Sequence, residues 1–170
     1  MKPSPFWRGI ATSPPVSRSG GRVLPECRFT LPTLPAGCRI IDFALRGDER
    51  GGLVALEEGK DVPFDIRRAY YIFGTLEGVS RGFHAHRHLQ QIIMAVSGSC
   101  EILLDDGTQQ VRVTLDRPDR GLTLPPMVWH EMHDFSPGCV LLVLADDHYD
   151  EADYIRNHDD FLALVEGAAG

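Results

Sequence analysis

From Cys38 onward the sequence is a succession of short apolar segments separated by turn residues, and this spacing limits the chain to a β architecture. The clearest pair is Glu101–Leu104 and Gln110–Leu115, because the second segment alternates apolar and polar residues and an Asp-Gly turn signal lies between the two. Gln91–Val96 is apolar on both faces, as a central strand would be. Many short strands at regular intervals are typical of a sandwich or barrel, so we predict an all-β fold.

Further segments extend this pattern on both sides of the hairpin. We predict strands at the segments that are apolar, β-branched or aromatic, namely Arg39–Leu45, Leu53–Leu56, Arg67–Phe73, Gly121–Leu124 and Cys139–Leu144. The Gly-rich and charged stretch Arg46–Gly52 is predicted to be a turn. We expect Leu53–Leu56 to be buried.

The two ends of the chain have a different character. Seven of the 12 prolines fall within residues 1–37. Proline fixes φ and lacks an amide donor, so we predict an N-terminal extension over residues 1–37 and a single domain over residues 38–170. Asp150–Val165 no longer alternates, and its apolar Phe161, Leu162 and Val165 predict a short C-terminal helical segment.

Composition excludes several classes of protein. The net charge of −7 argues against nucleic acid as the main partner. No apolar run approaches the roughly 18 residues of a membrane span, and the N-terminus lacks the apolar core of a secretion signal. The four cysteines form no CxxC pair, so we expect reduced thiols and a cytoplasmic protein.

Two segments rich in histidine indicate where chemistry takes place. In a regular strand, side chains two residues apart share a face, so His84, His86 and His88 are expected to form a row. A second, proline-led segment carries His130 and His133 on opposite faces of a strand. Two such segments in a small β barrel predict one shared pocket, which we interpret as the active site.

The same segments resemble a known family. RGFHAH, VSGSCEILLDDG, PPMVWHEMHDFS and YDEADYIR occur in the order found in the nucleotide-sugar 3,4-ketoisomerases of the WxcM-like group. The resemblance covers about Arg39 to Leu164. It implies a cupin fold (a double-stranded β-helix, or jelly-roll barrel), a homodimer that exchanges N-terminal strands, and catalysis without a metal or cofactor.

The resemblance also implies a reaction. In this family the ketone of dTDP-4-dehydro-6-deoxy-glucose moves from C4 to C3, on the route to 3-amino-3,6-dideoxy sugars such as those of lipopolysaccharide O-antigens. The base needs a pKa near the working pH, as histidine has. His84 matches the family's proposed base. His86 is expected to shuttle a proton, and Tyr70 to donate to the developing oxyanion. Tyr71, on the other face, is expected to pack only.

Arginines are the expected ligands of the diphosphate, because a guanidinium binds phosphate oxygens in bidentate fashion. Arg81 is the first candidate, followed by Arg68 and Arg87. Arg50 together with His130 resembles the residue pair of family members that form the galacto-configured 3-keto product. The resemblance therefore implies dTDP-3-dehydro-6-deoxy-galactose as the product.

Three alternatives stay open at this point. Metal-binding cupins follow the HxH motif with a glutamate, whereas Leu89, Gln90 and Gln91 offer no carboxylate; three neutral histidines can nevertheless bind zinc. A cupin epimerase acting on the same sugar would use one histidine base and a tyrosine acid. A non-catalytic sugar-binding cupin module would need the pocket without a base.

Overall fold

The computed structural model describes residues 33–168. The strands are β1 (Arg39–Asp42), β2 (Leu45–Asp48), β3 (Gly51–Val54), β4 (Arg68–Phe73), β5 (Arg81–His86), β6 (Gln91–Ser97), β7 (Cys100–Asp105), β8 (Gln110–Leu115), β9 (Arg120–Leu124), β10 (Trp129–His133), β11 (Val140–Ala145) and β12 (Tyr154–Ile155). A 3₁₀ turn covers Glu151–Asp153, and the helix α1 covers His158–Ala168. Most of the predicted extension, residues 1–37, lies outside the described residues.

Two antiparallel five-stranded sheets form the body of the domain. One has the order β1-β9-β6-β11-β4 and the other β12-β5-β10-β7-β8. Side chains from both sheets meet in one core, where Ile93, Ile102, Leu122 and Leu141 are fully buried. An alternating strand buries one face only, so two such sheets stacked face to face exclude water from both inner faces. The predicted all-β jelly roll is confirmed.

The central strand and the hairpin lie where the sequence predicts them. β6 is the middle strand of its sheet and buries Gln91 to Ala95. β7 and β8 pair from Cys100 with Leu115 to Asp105 with Gln110. Truncating a core side chain such as Leu141 to alanine would cost about 2–5 kcal/mol, because the sandwich leaves a cavity there rather than collapsing.

The N-terminal hairpin departs from the prediction. β2 and β3 extend through most of the predicted turn Arg46–Gly52 and form a separate two-stranded sheet. The prediction that Leu53–Leu56 is a buried strand was wrong, since β3 ends at Val54 and Leu53 is 57% exposed. Its neighbour across the hairpin strands, Leu45, is exposed to the same extent. An apolar side chain is buried only where another layer covers it, and the described residues provide no such layer over these leucines.

The C-terminal segment closes one end of the sandwich. β12 pairs with β5, with Tyr154 opposite His86. The fully buried Phe161 anchors α1 against Trp129 and Ile155, which confirms the short C-terminal helix. His158 Nε2 contacts Asp105 Oδ2 at 2.9 Å and ties the start of α1 to the end of β7. This arrangement fixes the segment that precedes the helix beside β5.

Two remaining expectations concern thiols and membranes. Cys38, Cys100 and Cys139 are buried and unpaired, as predicted, and Cys27 lies outside the described residues. Among residues 33–168, the structure contains no helix with the length and apolar character that a bilayer crossing requires.

Candidate active site

A β-bulge in β5 sets the position of the first histidine. His130 of β10 pairs with His84, but the next residue, Glu131, pairs with Gly82, so Phe83 is the extra residue. Gly82 has φ +88°, and a Cβ there would lie 2.8 Å from the carbonyl oxygen of His130. Only glycine fits this backbone approach, and the bulge places the His84 ring against the Gly82 carbonyl.

Three imidazoles meet at this point. The ring centroid of His84 lies 4.9 Å from that of His86 and 4.5 Å from that of His130. His86 and His130 are 3% and 2% exposed, and they lie directly behind His84. The predicted row stops at His86, because β5 ends there and His88 lies in an exposed bend. His130 joins the other two from the neighbouring strand.

Hydrogen bonds fix the tautomer of each ring. Nδ1 of His84 donates to the Gly82 carbonyl (3.0 Å), Nδ1 of His130 to the Val128 carbonyl (3.3 Å), and Nδ1 of His86 to Asp153 Oδ2 (2.8 Å). Each of these oxygens can only accept, so each Nδ1 carries the hydrogen and each Nε2 retains its lone pair. Nε2 of His86 is buried and has no partner among the described residues.

Burial keeps the three rings neutral. It lowers the pKa of His84 below its usual range, and it lowers the pKa of His86 to about 4 even though Asp153 acts in the opposite direction. The pKa of His130 lies well below its usual value for the same reason, with His84 and His86 adding to the effect. At neutral pH all three rings are therefore proton acceptors rather than cations.

His84 faces a cavity of about 480 Å³. The cavity is lined by Arg68, Tyr70, Ile72, Arg81, Gly82, His84, Met132, Tyr149, Tyr154 and Arg156. Its wall combines phenols, guanidinium groups and one imidazole, and its size fits a sugar ring with part of a linked group. Four of the residues predicted from the sequence, Arg68, Tyr70, Arg81 and His84, line it.

The two adjacent tyrosines of β4 face opposite ways, as predicted. Tyr71 is 65% exposed, whereas Tyr70 lines the cavity. Nε2 of Gln91 donates to the Tyr70 hydroxyl at 3.0 Å, which leaves the phenolic hydrogen free to point at a ligand. Burial raises the pKa of Tyr70 to about 12, so the hydroxyl stays protonated and acts as a donor.

The predicted arginines are divided among three places. Arg68 and Arg81 reach the cavity, and the Arg68 guanidinium lies 5.3 Å from the Tyr70 ring centroid. Arg87 follows the end of β5 and lines a separate, acidic depression with Asp146 and Asp147. Arg50 lies in the turn between β2 and β3, where it is paired with Asp48 and lines a third depression. It therefore does not line the cavity that contains His84 within the same chain.

Several residues of the site have no predicted role. The ring centroids of Tyr154 and His86 lie 4.3 Å apart, the Arg156 guanidinium lies 4.2 Å from the Tyr154 ring centroid, and Tyr149 lines the cavity. All belong to the motif YDEADYIR, which carries the resemblance without indicating a role for any one residue. The carboxylate of Asp153 is in the same motif, and its pairing with His86 could be recognised only after β12 was placed beside β5.

Donor geometry bears on the zinc alternative. Across residues 33–168, no group of three histidine, cysteine, aspartate or glutamate side chains is arranged to hold a metal ion. The rings of His84 and His86 are perpendicular, at 90°. Catalysis without metal or cofactor stays a prediction.

Two antiparallel sheets around a pocket lined by histidine and tyrosine define the cupin class. Residues 36–166 match the model of the family FdtA, described as WxcM-like, C-terminal. The chain is 54% identical over 127 residues to the TDP-4-oxo-6-deoxy-alpha-D-glucose-3,4-oxoisomerase of Aneurinibacillus thermoaerophilus, over 75% of this chain and 91% of the relative. This protein belongs to the FdtA (WxcM-like) family.

Solved structures agree with that assignment. The WlaRB TDP-quinovose 3,4-ketoisomerase from Campylobacter jejuni is 49% identical, with a TM-score of 0.73, over 76% of this chain and 99% of that one. The QdtA 3,4-ketoisomerase from Thermoanaerobacterium thermosaccharolyticum, as a double mutant in complex with TDP, is 41% identical, with a TM-score of 0.78, over 79% of this chain and 98% of that one. The relatives are thus sugar-nucleotide isomerases.

Proposed function

We propose that this protein is a 3,4-ketoisomerase that converts dTDP-4-dehydro-6-deoxy-glucose into the 3-dehydro sugar. One observation supports this most strongly: the Nε2 lone pair of a neutral His84 is available in a cavity that also presents the Tyr70 hydroxyl. A base and an oxyanion donor side by side are what proton abstraction next to a carbonyl requires. The named activities of the relatives support the same reaction.

The reaction is a balanced exchange of two protons. His84 removes the proton from C3, which is acidic because C4 is a ketone, and the electron pair forms an enediolate across C3 and C4. Tyr70 donates a hydrogen bond to the negative oxygen, which stabilises the intermediate. The hydroxyl proton of O3 moves to O4, and we assign this transfer to His86, whose ring lies 4.9 Å from that of His84 behind the cavity wall. Reprotonation at C4 then leaves the ketone at C3, without any oxidant or reductant.

The diphosphate is assigned to the basic side of the cavity. Arg68 and Arg81 lie there, and Nε of Arg68 is buried without a partner among the described residues, so its guanidinium retains an unused donor. The QdtA complex contains TDP, which supports thymidine as the nucleoside. Arg87 faces a different depression and has no part in this assignment.

We assign Arg50 to the cavity of a second subunit in a dimer. We assign a homodimer in which N-terminal strands are exchanged and the β2–β3 hairpin packs on the second subunit. The exposed Leu45 and Leu53 support a covering partner. The Arg50 side chain, paired with Asp48 and 83% exposed, can face the cavity of a second subunit. Light scattering should then give twice the chain mass; a monomer at micromolar concentration would exclude this assembly. We place the enzyme in the cytoplasm, with residues 38–170 as the catalytic domain.

The configuration at C4 separates two candidate products. Arg50 with His130 favours the galacto product, and the double mutant of QdtA carries a Tyr→Arg and an Arg→His exchange, the same two residue types. The gluco product is the second candidate, because the 49%-identical WlaRB is a TDP-quinovose enzyme.

Proton NMR of the product tests the whole proposal. Purified protein is mixed with dTDP-4-dehydro-6-deoxy-glucose, and the coupling between H4 and H5 is read directly: small for galacto, large for gluco. A 4-keto sugar inverted at C3 or C5 would identify an epimerase instead. Binding of the nucleotide sugar without any conversion would identify a sugar-binding module.

A further inference from the structure

We infer that Asp153 is a positioning residue that sets the tautomer of His86 for proton transfer; this inference rests on the proposed function. Asp153 uses both carboxylate oxygens. Oδ2 accepts from His86 Nδ1 at 2.8 Å, and Oδ1 accepts from the backbone N–H of His88 at 2.8 Å. The backbone carbonyl of Asp153 also accepts from the N–H of Arg87, so the residue is fixed to the end of β5 from two sides.

The position of the carboxylate decides what His86 can do. With the hydrogen held on Nδ1, the unpartnered Nε2 is the only ring atom of His86 that can accept a proton. This atom is buried, and the His86 ring lies 4.9 Å behind that of His84, which lines the cavity. A carboxylate at 2.8 Å also stabilises the imidazolium that forms while the proton is in transit. No other acceptor among the described residues is hydrogen-bonded to Nδ1 of His86, so removing Asp153 leaves this atom without a partner.

Other ionisable groups around His86 do not duplicate this role. His84 comes from the same strand, His130 from β10, Tyr154 from β12, and Arg68 from β4. Besides burial, His84 and Arg68 lower the pKa of His86, whereas Tyr154 packs its ring against it. Asp153 is therefore the carboxylate that faces this imidazole.

Replacing Asp153 by asparagine reverses the tautomer rather than removing the contact. The N–H of His88 can only donate, so it requires the amide oxygen, and the NH₂ group is then directed at His86 Nδ1. The opposite orientation would leave a backbone N–H facing an NH₂ group, which costs about 1–3 kcal/mol. In Asp153→Asn, Nδ1 must accept and the hydrogen moves to Nε2, where it blocks proton uptake.

Kinetics provide the first test. We expect kcat of Asp153→Asn to fall by about 10²-fold or more, with KM for the sugar nucleotide within about twofold and no recovery across pH 6–9. The matched control is Asp150→Asn, which removes a carboxylate from the same segment; Asp150 only caps the 3₁₀ turn, and asparagine caps equally well. That control should retain full turnover. A purely structural role would predict normal kcat for the isosteric asparagine.

Long-range ¹H–¹⁵N NMR of the imidazole provides the second test and needs no turnover. The wild-type protein should show His86 protonated on Nδ1, and Asp153→Asn should show it protonated on Nε2. A wild-type His86 that carries its hydrogen on Nε2 would overturn the inference, and this result does not depend on how well the variant folds. A variant with unchanged kcat would overturn it as well. Failure of the wild-type enzyme to convert the sugar would instead refute the proposed function and leave the tautomer result to stand alone.

Discussion

At the scale of single residues, β4 provides a matched pair of phenols. Tyr70 and Tyr71 are neighbours in sequence, but one lines the cavity and the other is 65% exposed. Because Tyr70 is the one of the two that faces the cavity and can donate to the enediolate, Tyr70→Phe should lower kcat about 10²-fold while Tyr71→Phe leaves it within twofold. Steady-state kinetics of the two variants measure this. Equal effects of the two changes would mean that Tyr70 contributes only through packing.

The same substitution has a separate cost in stability. Tyr70→Phe leaves Nε2 of the buried Gln91 without its acceptor, which costs about 1–3 kcal/mol of unfolding free energy. Urea unfolding of both variants therefore separates the two effects: a loss of kcat in protein that is still fully folded belongs to the chemistry.

At the scale of elements, the bulge in β5 is the feature that aligns the histidines. Gly82→Ala would place a Cβ 2.8 Å from the His130 carbonyl oxygen at a φ of +88°. We expect a loss of at least about 2 kcal/mol in unfolding free energy, together with a fall in kcat as His84 moves away from its place.

Gly78→Ala is the control for this prediction. Gly78 also has a positive φ, +73°, but an added Cβ meets nothing within 4 Å. This variant should lose about 1 kcal/mol of stability through backbone strain and keep its kcat. If Gly82→Ala behaves like Gly78→Ala in both assays, the close approach at the bulge does not position the base.

Elements also show how much the sequence can predict. The β7–β8 hairpin and α1 were predicted because alternation, turn residues and helical period are local signals. His84 and His86 were paired correctly because residues two apart share a strand face. Asp153 lies 67 residues from His86, and only the pairing of β12 with β5 brings the two together. No local pattern indicates such a contact.

The prediction that Leu53–Leu56 is buried failed for a related reason. Leu53 is apolar and its neighbours suit a strand, and β3 does include Leu53 and Val54. Whether that strand is covered depends on which surface packs against it, which periodicity does not indicate. The same limit applies to Arg50, whose place in a site depends on the assembly.

At the scale of the whole molecule, the buried imidazoles make stability depend on pH. His86 titrates near 6.5 in an unfolded chain, but burial lowers its pKa to about 4 in the folded one. Between these values only the unfolded state binds the proton, so the free energy of unfolding falls as the pH drops through that interval. His86 alone lowers the free energy of unfolding by about 2 kcal/mol when the pH falls from 7 to 5. His84 and His130 act in the same direction.

Urea unfolding at pH 7 and pH 5 measures this dependence. The wild-type protein should be less stable at pH 5, and His86→Asn should show a smaller difference between the two conditions. His148→Asn, at an exposed histidine outside the cavity, is the control and should match the wild type. An unchanged difference in His86→Asn would mean that this ring does not carry the dependence.

Removal of the C3 proton by His84 is the step on which the proposed reaction depends. We test this step by incubating dTDP-4-dehydro-6-deoxy-glucose with the protein in D₂O and following H3 by proton NMR. An imidazole base exchanges its proton with the solvent, so the proton that returns to the sugar is replaced by deuterium. The wild-type protein should form the 3-dehydro sugar with deuterium at C4, and His84→Asn should bind dTDP normally yet leave H3 and the substrate intact. Conversion by His84→Asn at the wild-type rate would show that a group other than His84 removes the C3 proton.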